Sequence, residues 1–128
     1  MRSKYGKYVL GFLHRLGVGG VAQDYAAAVA QFRLVAAQGF DMAHCDLGTM
    51  YGMGYGVARD YAEALRLYKL AAAQGLNMGL RNVGMHYEEG RGVAADRAEA
   101  IRWYKRAAAA RCSQAADALK RLGAGWGA

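Results

Sequence analysis

Four kinds of residue in this chain have types or spacings that enzymes and binding sites use. The segment GMGYG, residues 52–56, places three glycines in five positions just before a helix-like run, as loops that cradle phosphate do. The other candidates are three histidines, two cysteines and a glutamate pair: His14, His44, His86, Cys45, Cys112, Glu88 and Glu89. Histidine and cysteine can bind metal or act as bases and nucleophiles. Whether any of them does chemistry depends on the elements that position them.

The glycine-rich segment recurs along the chain. GMGYG returns as EEGRG at residues 88–92 and, loosely, as LGVGG at residues 16–20, each time between the same two helix-like segments. A phosphate-binding loop is needed once and follows a strand, and neither condition is met here. Recurring glycines are instead typical of left-handed or crowded corners. We therefore interpret GMGYG as a corner between two helices.

The corner belongs to a repeat of 36 residues. Residues 41–76 and 77–112 align without a gap, and residues 1–40 carry a third copy with one extra glycine, Gly19 or Gly20. The matched positions include Gly48 with Gly84, Tyr51 with Tyr87, Gly54 with Gly90, Gly56 with Gly92, and Asp60 with Asp96. Residues 113–123 look like the front half of a fourth copy. A period of this length is typical of solenoids built from stacked supersecondary units.

Each copy is predicted to form two helices. Proline is absent and alanine abundant, which favours helix throughout. Asp60 is a predicted N-cap of the second helix, with Glu63 completing a capping box, and Asp96 and Glu99 repeat the arrangement. Gly75 is a predicted left-handed C-cap. The predicted fold is all-α: a right-handed superhelical solenoid of antiparallel helix pairs in one domain, 1–128, with repeats at 4–40, 41–76 and 77–112 and a capping helix at 113–123.

These positions give the chain a resemblance to the Sel1-like repeats, relatives of the tetratricopeptide repeat. The residues that carry it in the second copy are Ala43, Leu47, Gly48, Tyr51, Gly54, Gly56, Val57, Asp60, Ala64, Tyr68, Ala71, Ala72 and Gly75. Coverage runs from about residue 3 to 123, with departures at His14, Gly79 and Arg111. The resemblance implies a non-catalytic scaffold for assembling protein complexes.

None of the chemical candidates forms a site in the sequence. The three histidines fall at different repeat positions, without the i, i+4 spacing of a helical ligand pair, so no metal or cofactor is expected. In some secreted, cysteine-rich Sel1-like proteins, a cysteine at the position of Cys45 forms a disulfide with a second cysteine in the following helix. In this chain the position of that second cysteine falls within Ala71–Ala73, so the partner is absent. This favours a reducing compartment, and the compartment itself stays open between cytoplasm and organelle interior.

Two further features bear on membranes and export. The N-terminal apolar run, YVLGFL at 8–13, is interrupted by His14 and Arg15 after six residues, which argues against a signal peptide. No apolar run approaches the ~20 residues that span a bilayer. We therefore expect no membrane span.

A concave groove is the expected binding surface. By analogy with tetratricopeptide repeats, the inward positions are Tyr5, Tyr8, Phe12, Met42, Cys45, Met53, Met78, Arg81, Met85, Glu88 and Glu89. Thioethers and aromatic rings suit an apolar helix or peptide, so the expected partner is another protein. Two alternatives stay open: the aromatic side chains could instead seal the end of the core, and the two glutamates could be solvated corner residues.

The positive charge suggests a second kind of partner. The net charge is +7, and cations lie on the second helices at Arg33, Arg66, Lys69, Arg102, Lys105 and Arg106. A basic convex face could dock on RNA or on an acidic assembly. Since no RNA-binding motif accompanies it, nucleic acid remains the alternative to a protein partner.

Overall fold

The prediction of an all-α solenoid is confirmed. A computed structural model describes residues 4–17 and 23–124, and their side chains except those of Lys4 and Tyr5. Within these ranges every regular element is a helix, and helices that follow one another in sequence pack together. The helices are α1 (Lys4–Leu16), α2 (Tyr25–Ala37), α3 (Asp41–Met53), α4 (Tyr61–Ala73), α5 (Asn77–Glu89), α6 (Arg97–Ala109) and α7 (Ser113–Arg121). The extra glycine, at 19 or 20, lies outside the described residues.

The second helix of each pair starts at an aspartate N-cap. The side chains of Asp24, Asp60 and Asp96 each accept a hydrogen bond at 3.0 Å from the backbone N–H three residues later. An oxygen at this place satisfies one of the helix's unpaired N–H groups. The cap therefore fixes where α2, α4 and α6 begin.

The reciprocal half of the predicted capping box does not form. The N–H of Asp60 donates to the carbonyl of Tyr51 in the preceding helix, at 2.9 Å, so no donor is left for Glu63. Glu63 pairs instead with Arg66 on the same helix. The same hydrogen bond ties Asp96 to Tyr87 at 2.8 Å, which fixes the angle between the two helices of each pair.

The corner glycines solve a steric problem between neighbouring repeats. Gly56 and Gly92 have φ of 74° and 71°, in the left-handed region. A Cβ at Gly56 would lie 2.5 Å from the carbonyl carbon of Tyr25, and one at Gly92 would lie 2.6 Å from the nitrogen of Ala62. Each corner thus packs against the first turn of the second helix in the preceding repeat.

The glycines inside the first helices solve a different problem. A Cβ at Gly48 would lie 2.7 Å from the ring of Tyr68, and one at Gly84 would lie 2.8 Å from the ring of Tyr104. The missing side chains let an aromatic ring of the second helix lie directly on the backbone of the first. Each ring therefore extends from the second helix across the first helix of its pair.

Aromatic side chains close the N-terminal end of the core. Tyr8 packs against Phe12 and Phe40 with ring centroids 4.9 and 4.5 Å apart, and Phe12 packs against Phe32 at 5.5 Å. Tyr8 and Phe12 are half-buried against the core of α2 and α3. The sequence left two interpretations of these rings, binding a partner and covering the end of the core. The contacts of Tyr8 and Phe12 are those of the second.

Candidate functional site

Two adjoining cavities open between the first helices of successive pairs. The smaller, about 250 Å³, lies between α3 and α5, and the larger, about 380 Å³, lies between α5 and α7. Arg81 and Met85 line both, so the two cavities are neighbours along α5. We call them together the groove.

Part of the predicted groove set lines these cavities. The residues that do so are Met53, Met78, Arg81, Met85, Glu88 and Glu89. Tyr8, Phe12 and Met42 line neither cavity, and the side chain of Tyr5 lies outside the described residues. The groove therefore occupies the second and third repeats and the C-terminal helix.

The placement of Cys45 in the groove was wrong. Its side chain is 4% exposed and packs in the same core cluster as Tyr68 and Leu80. Burial raises the pKa of the thiol to about 12, so it is neither a contact for a partner nor a nucleophile. The equivalent position in the next repeat carries Arg81, whose longer side chain reaches the groove, whereas the short thiol stays in the core.

Two tyrosines of the second helices form part of the groove, which the sequence analysis missed. Tyr68 lines the smaller cavity and its hydroxyl shares a hydrogen bond of 3.0 Å with Thr49. Tyr104 lines the larger cavity and donates to Glu88 at 2.7 Å. The sequence feature that could have predicted this is the glycine 20 residues before each tyrosine, Gly48 and Gly84. Because glycine has no side chain, the ring can lie across the helix at that point.

Glu88 is engaged within the chain. Arg121 of α7 donates to both of its carboxylate oxygens, at 2.6 and 3.0 Å. These hydrogen bonds, and that from Tyr104, hold the pKa of Glu88 below its usual value. Neighbouring Glu89 pairs with Arg91 at 2.7 Å. Both glutamates of the predicted groove set are thus paired within the chain, and Glu88 joins the C-terminal helix to α5.

This contact gives a pH-dependent expectation. Because the folded-state pKa of Glu88 is lowered, its stabilising contribution is present above the unfolded pKa of about 4.3 and is lost as pH falls through the folded value. Glu88→Gln is expected to lower stability at pH 7 by about 1 kcal/mol, since Arg121 is largely exposed. The deficit should be smaller at pH 3 than at pH 7. Thermal unfolding at the two pH values measures it.

Glu89→Gln is the matched control, because its pair with Arg91 is exposed on both sides. We expect it to change stability little at either pH. A deficit in Glu88→Gln that stays constant down to pH 3 would contradict the ionic fastening of α7.

His86 is held as a structural residue of the corner after α5. Its Nδ1 lies 2.9 Å from the carbonyl of Arg91, and its ring meets those of Tyr61 and Tyr68 edge-on. Burial lowers the pKa of His86, which favours the neutral form. Within the described ranges no three His, Cys, Asp or Glu side chains gather as a metal site requires.

Several cations of the second helices are also engaged. Arg33 donates to the hydroxyl of Tyr51 at 2.7 Å, and Lys69 donates to Tyr87 at 3.1 Å, each from a second helix to the first helix of the next repeat. Arg66 and Arg102 pair with glutamates on their own helices. These four cations therefore have partners within the protein: two of them join neighbouring repeats, and two form ion pairs along their own helix.

Comparison with known proteins identifies relatives of this architecture. A family model described as the Sel1 repeat matches residues 5–40, 41–76 and 77–112. No curated protein matches the sequence significantly. None of the described helices has the length and apolar character needed to cross a bilayer.

Two solved structures share the fold and at least 30% of the sequence. One is a protective antigen present in uropathogenic Escherichia coli strains, displaying an SLR fold, at 38% identity and a TM-score of 0.89; the match covers 93% of this chain and 25% of that one. A Sel1 repeat protein from Oxalobacter formigenes matches at 30% identity and 0.81, covering 88% of this chain and 46% of that one. The chain thus spans less than half the length of either protein.

A third structure shows the fold alone. Cysteine rich protein B of Helicobacter pylori matches at 18% identity and a TM-score of 0.74, over 91% of this chain and 89% of that one. The present chain has two cysteines, Cys45 and Cys112, and both are buried and unpaired.

Proposed function

Since the chain belongs to the Sel1 repeat family, we propose that it is a non-catalytic adaptor that binds a peptide or helical segment of another protein in the groove. Proteins of this family are generally scaffolds for protein–protein interaction. The surface between α3, α5 and α7 is suited to an extended or helical segment, because its two neighbouring cavities lie along two repeats and the last helix.

The observation that carries the proposal is a pair of exposed thioethers at one cavity. Met53 is 56% exposed and Met78 is 45% exposed, and both line the smaller cavity. Exposed apolar side chains gathered at a concavity mark interaction sites, and methionine adapts to varied apolar partners. The engaged cations of the second helices favour this surface over a basic docking face.

Peptide selection tests the proposal directly. Peptides selected from a displayed random library against the purified protein are expected to lose at least about tenfold in affinity for a Met53→Asp, Met78→Asp double variant, since a loss of about 1.4 kcal/mol is a modest hot-spot effect. Isothermal titration calorimetry measures the affinities. Thermal unfolding establishes that each variant is folded.

The chain offers a matched control on the second helices. Leu34 and Leu70 are 49% and 41% exposed and occupy the same place in successive repeats. Leu34→Asp with Leu70→Asp introduces the same two charges at equally exposed apolar positions, and binding should be unchanged. Peptides that bind the methionine variant at full affinity, or that are lost only with the leucine variant, would show that the groove is not the binding surface.

A further inference from the structure

Arg81 is a cation with few partners at the junction of the two cavities. Its side chain is half-buried and lines both of them. The acceptor that it contacts is the Sδ of Met85, 3.4 Å from Nη1, which is a weak one. Its Nε is buried and has no hydrogen-bond partner within the described ranges. An arginine has five N–H donors, so one weak acceptor leaves the buried Nε unsatisfied and other donors open to a ligand.

The other charges of the larger cavity do not compensate Arg81. Glu88 is taken by Arg121, and Glu89 by Arg91. The remaining acid, Asp117, is exposed on α7 and forms no ion pair with Arg81. Because Glu88 and Glu89 are already paired, a ligand that enters the cavity meets the positive charge of the Arg81 guanidinium.

Two buried titratable groups within reach of this charge, Cys45 and Tyr68, do not balance it. Cys45 and Tyr68 lie close enough to Arg81 for its charge to lower their pKa values, but burial outweighs it and raises both. Both groups are therefore uncharged at pH 7. A partly desolvated cation with unmet donors is unfavourable until an acceptor is supplied from outside.

We propose that Arg81 anchors a carboxylate carried by the peptide that occupies the groove; this rests on the function proposed above. A carboxylate matches the planar fork of a guanidinium and can accept two hydrogen bonds from it. The smaller cavity beside it, with Met53 and Met78, takes an apolar side chain of the same peptide. The recognised element is therefore one acid next to an apolar residue.

Asp117 limits how acidic the peptide is. It stands on the α7 wall of the larger cavity, at the repeat position equivalent to that of Arg81. A second carboxylate placed in that cavity would meet its negative charge. The groove is thus suited to a single carboxylate and not to an acidic run.

A double-mutant cycle on the selected peptides tests the anchor. Each peptide is synthesised with its acids neutralised one at a time, Asp→Asn or Glu→Gln, and with its C-terminus free or amidated, which separates a side-chain carboxylate from the terminal one. We expect one neutralisation to weaken binding to the wild type at least about tenfold and binding to Arg81→Met less than about twofold, because charge-assisted pairs couple this strongly.

Arg102→Met is the matched control, since Glu99 already occupies that guanidinium and Arg102 lines neither cavity. The peptide should remain as sensitive to neutralisation with this variant as with the wild type. If no carboxylate couples to Arg81 while binding still requires Met53 and Met78, the anchor is wrong and the groove function stands. If the peptides bind the Met53→Asp, Met78→Asp variant with unchanged affinity, both the groove function and the Arg81 anchor are wrong.

The unliganded protein supplies a second readout. An arginine held for a ligand stabilises the free fold little, so Arg81→Met should leave the midpoint of thermal unfolding unchanged or raise it. Arg121→Met, which removes a paired cation, should lower the midpoint. An equal fall for Arg81→Met would assign Arg81 a structural role and overturn the anchor.

Discussion

Gly92→Ala is expected to lower the free energy of unfolding by about 2–5 kcal/mol, combining left-handed strain with overpacking. Gly92 has φ of 71°, and a Cβ there would lie 2.6 Å from the nitrogen of Ala62 and from the carbonyl carbon of Tyr61. These neighbours are backbone atoms at the start of α4, so no side chain can rotate away. The corner after α5 must instead move off the preceding repeat.

Gly75→Ala separates the two contributions. Gly75 has φ of 80° but nothing within 4 Å of its added Cβ, so it carries the strain of about 1–2 kcal/mol without the collision. Urea unfolding measures both variants, and the difference between them is the packing between repeats. Equal losses would mean that the corner glycines serve only the backbone conformation.

The local features of the fold were predictable because each depends on residues close together in the sequence and recurs in every copy of the repeat. The aspartate caps and the corner glycines depend on the backbone of a few neighbouring positions. Arg111 shows the limit of that logic. It occupies the place of Gly39 and Gly75 and still adopts φ of 68°, and the N–H groups of Arg111 and Cys112 donate to carbonyls in the last turn of α6.

The contacts of the groove were less predictable because they depend on side-chain reach and on distant residues. Cys45 and Arg81 share a repeat position, and the length of the side chain decides which one reaches the groove. The pair of Glu88 with Arg121 joins residues 33 apart on separate helices, which no local pattern encodes. Periodicity thus predicts which positions of the first helices are equivalent, and tertiary packing decides which of those side chains line the two cavities.

Tyr104→Ala is expected to lower the free energy of unfolding by about 3–5 kcal/mol, as for other buried aromatic residues. The ring is 1% exposed and lies against the bare backbone at Gly84. Its loss would leave a cavity between α5 and α6 that two rigid helices cannot close, and would remove the hydroxyl that donates to Glu88. Tyr104→Phe keeps the ring and should lose only about 1 kcal/mol.

Combining these changes with Gly84→Ala tests why the glycine is there. In the wild type the added methyl would meet the Tyr104 ring at 2.8 Å, an overpacking penalty of about 1–3 kcal/mol. In the Tyr104→Ala background that ring is absent, and alanine is the better helix former by about 1 kcal/mol. The same substitution should then stabilise the protein, so its effect changes sign, as urea unfolding of the four proteins would measure. Additive effects would mean that Gly84 does not serve to admit the tyrosine, and the explanation of how Tyr104 reaches the groove would fail with it.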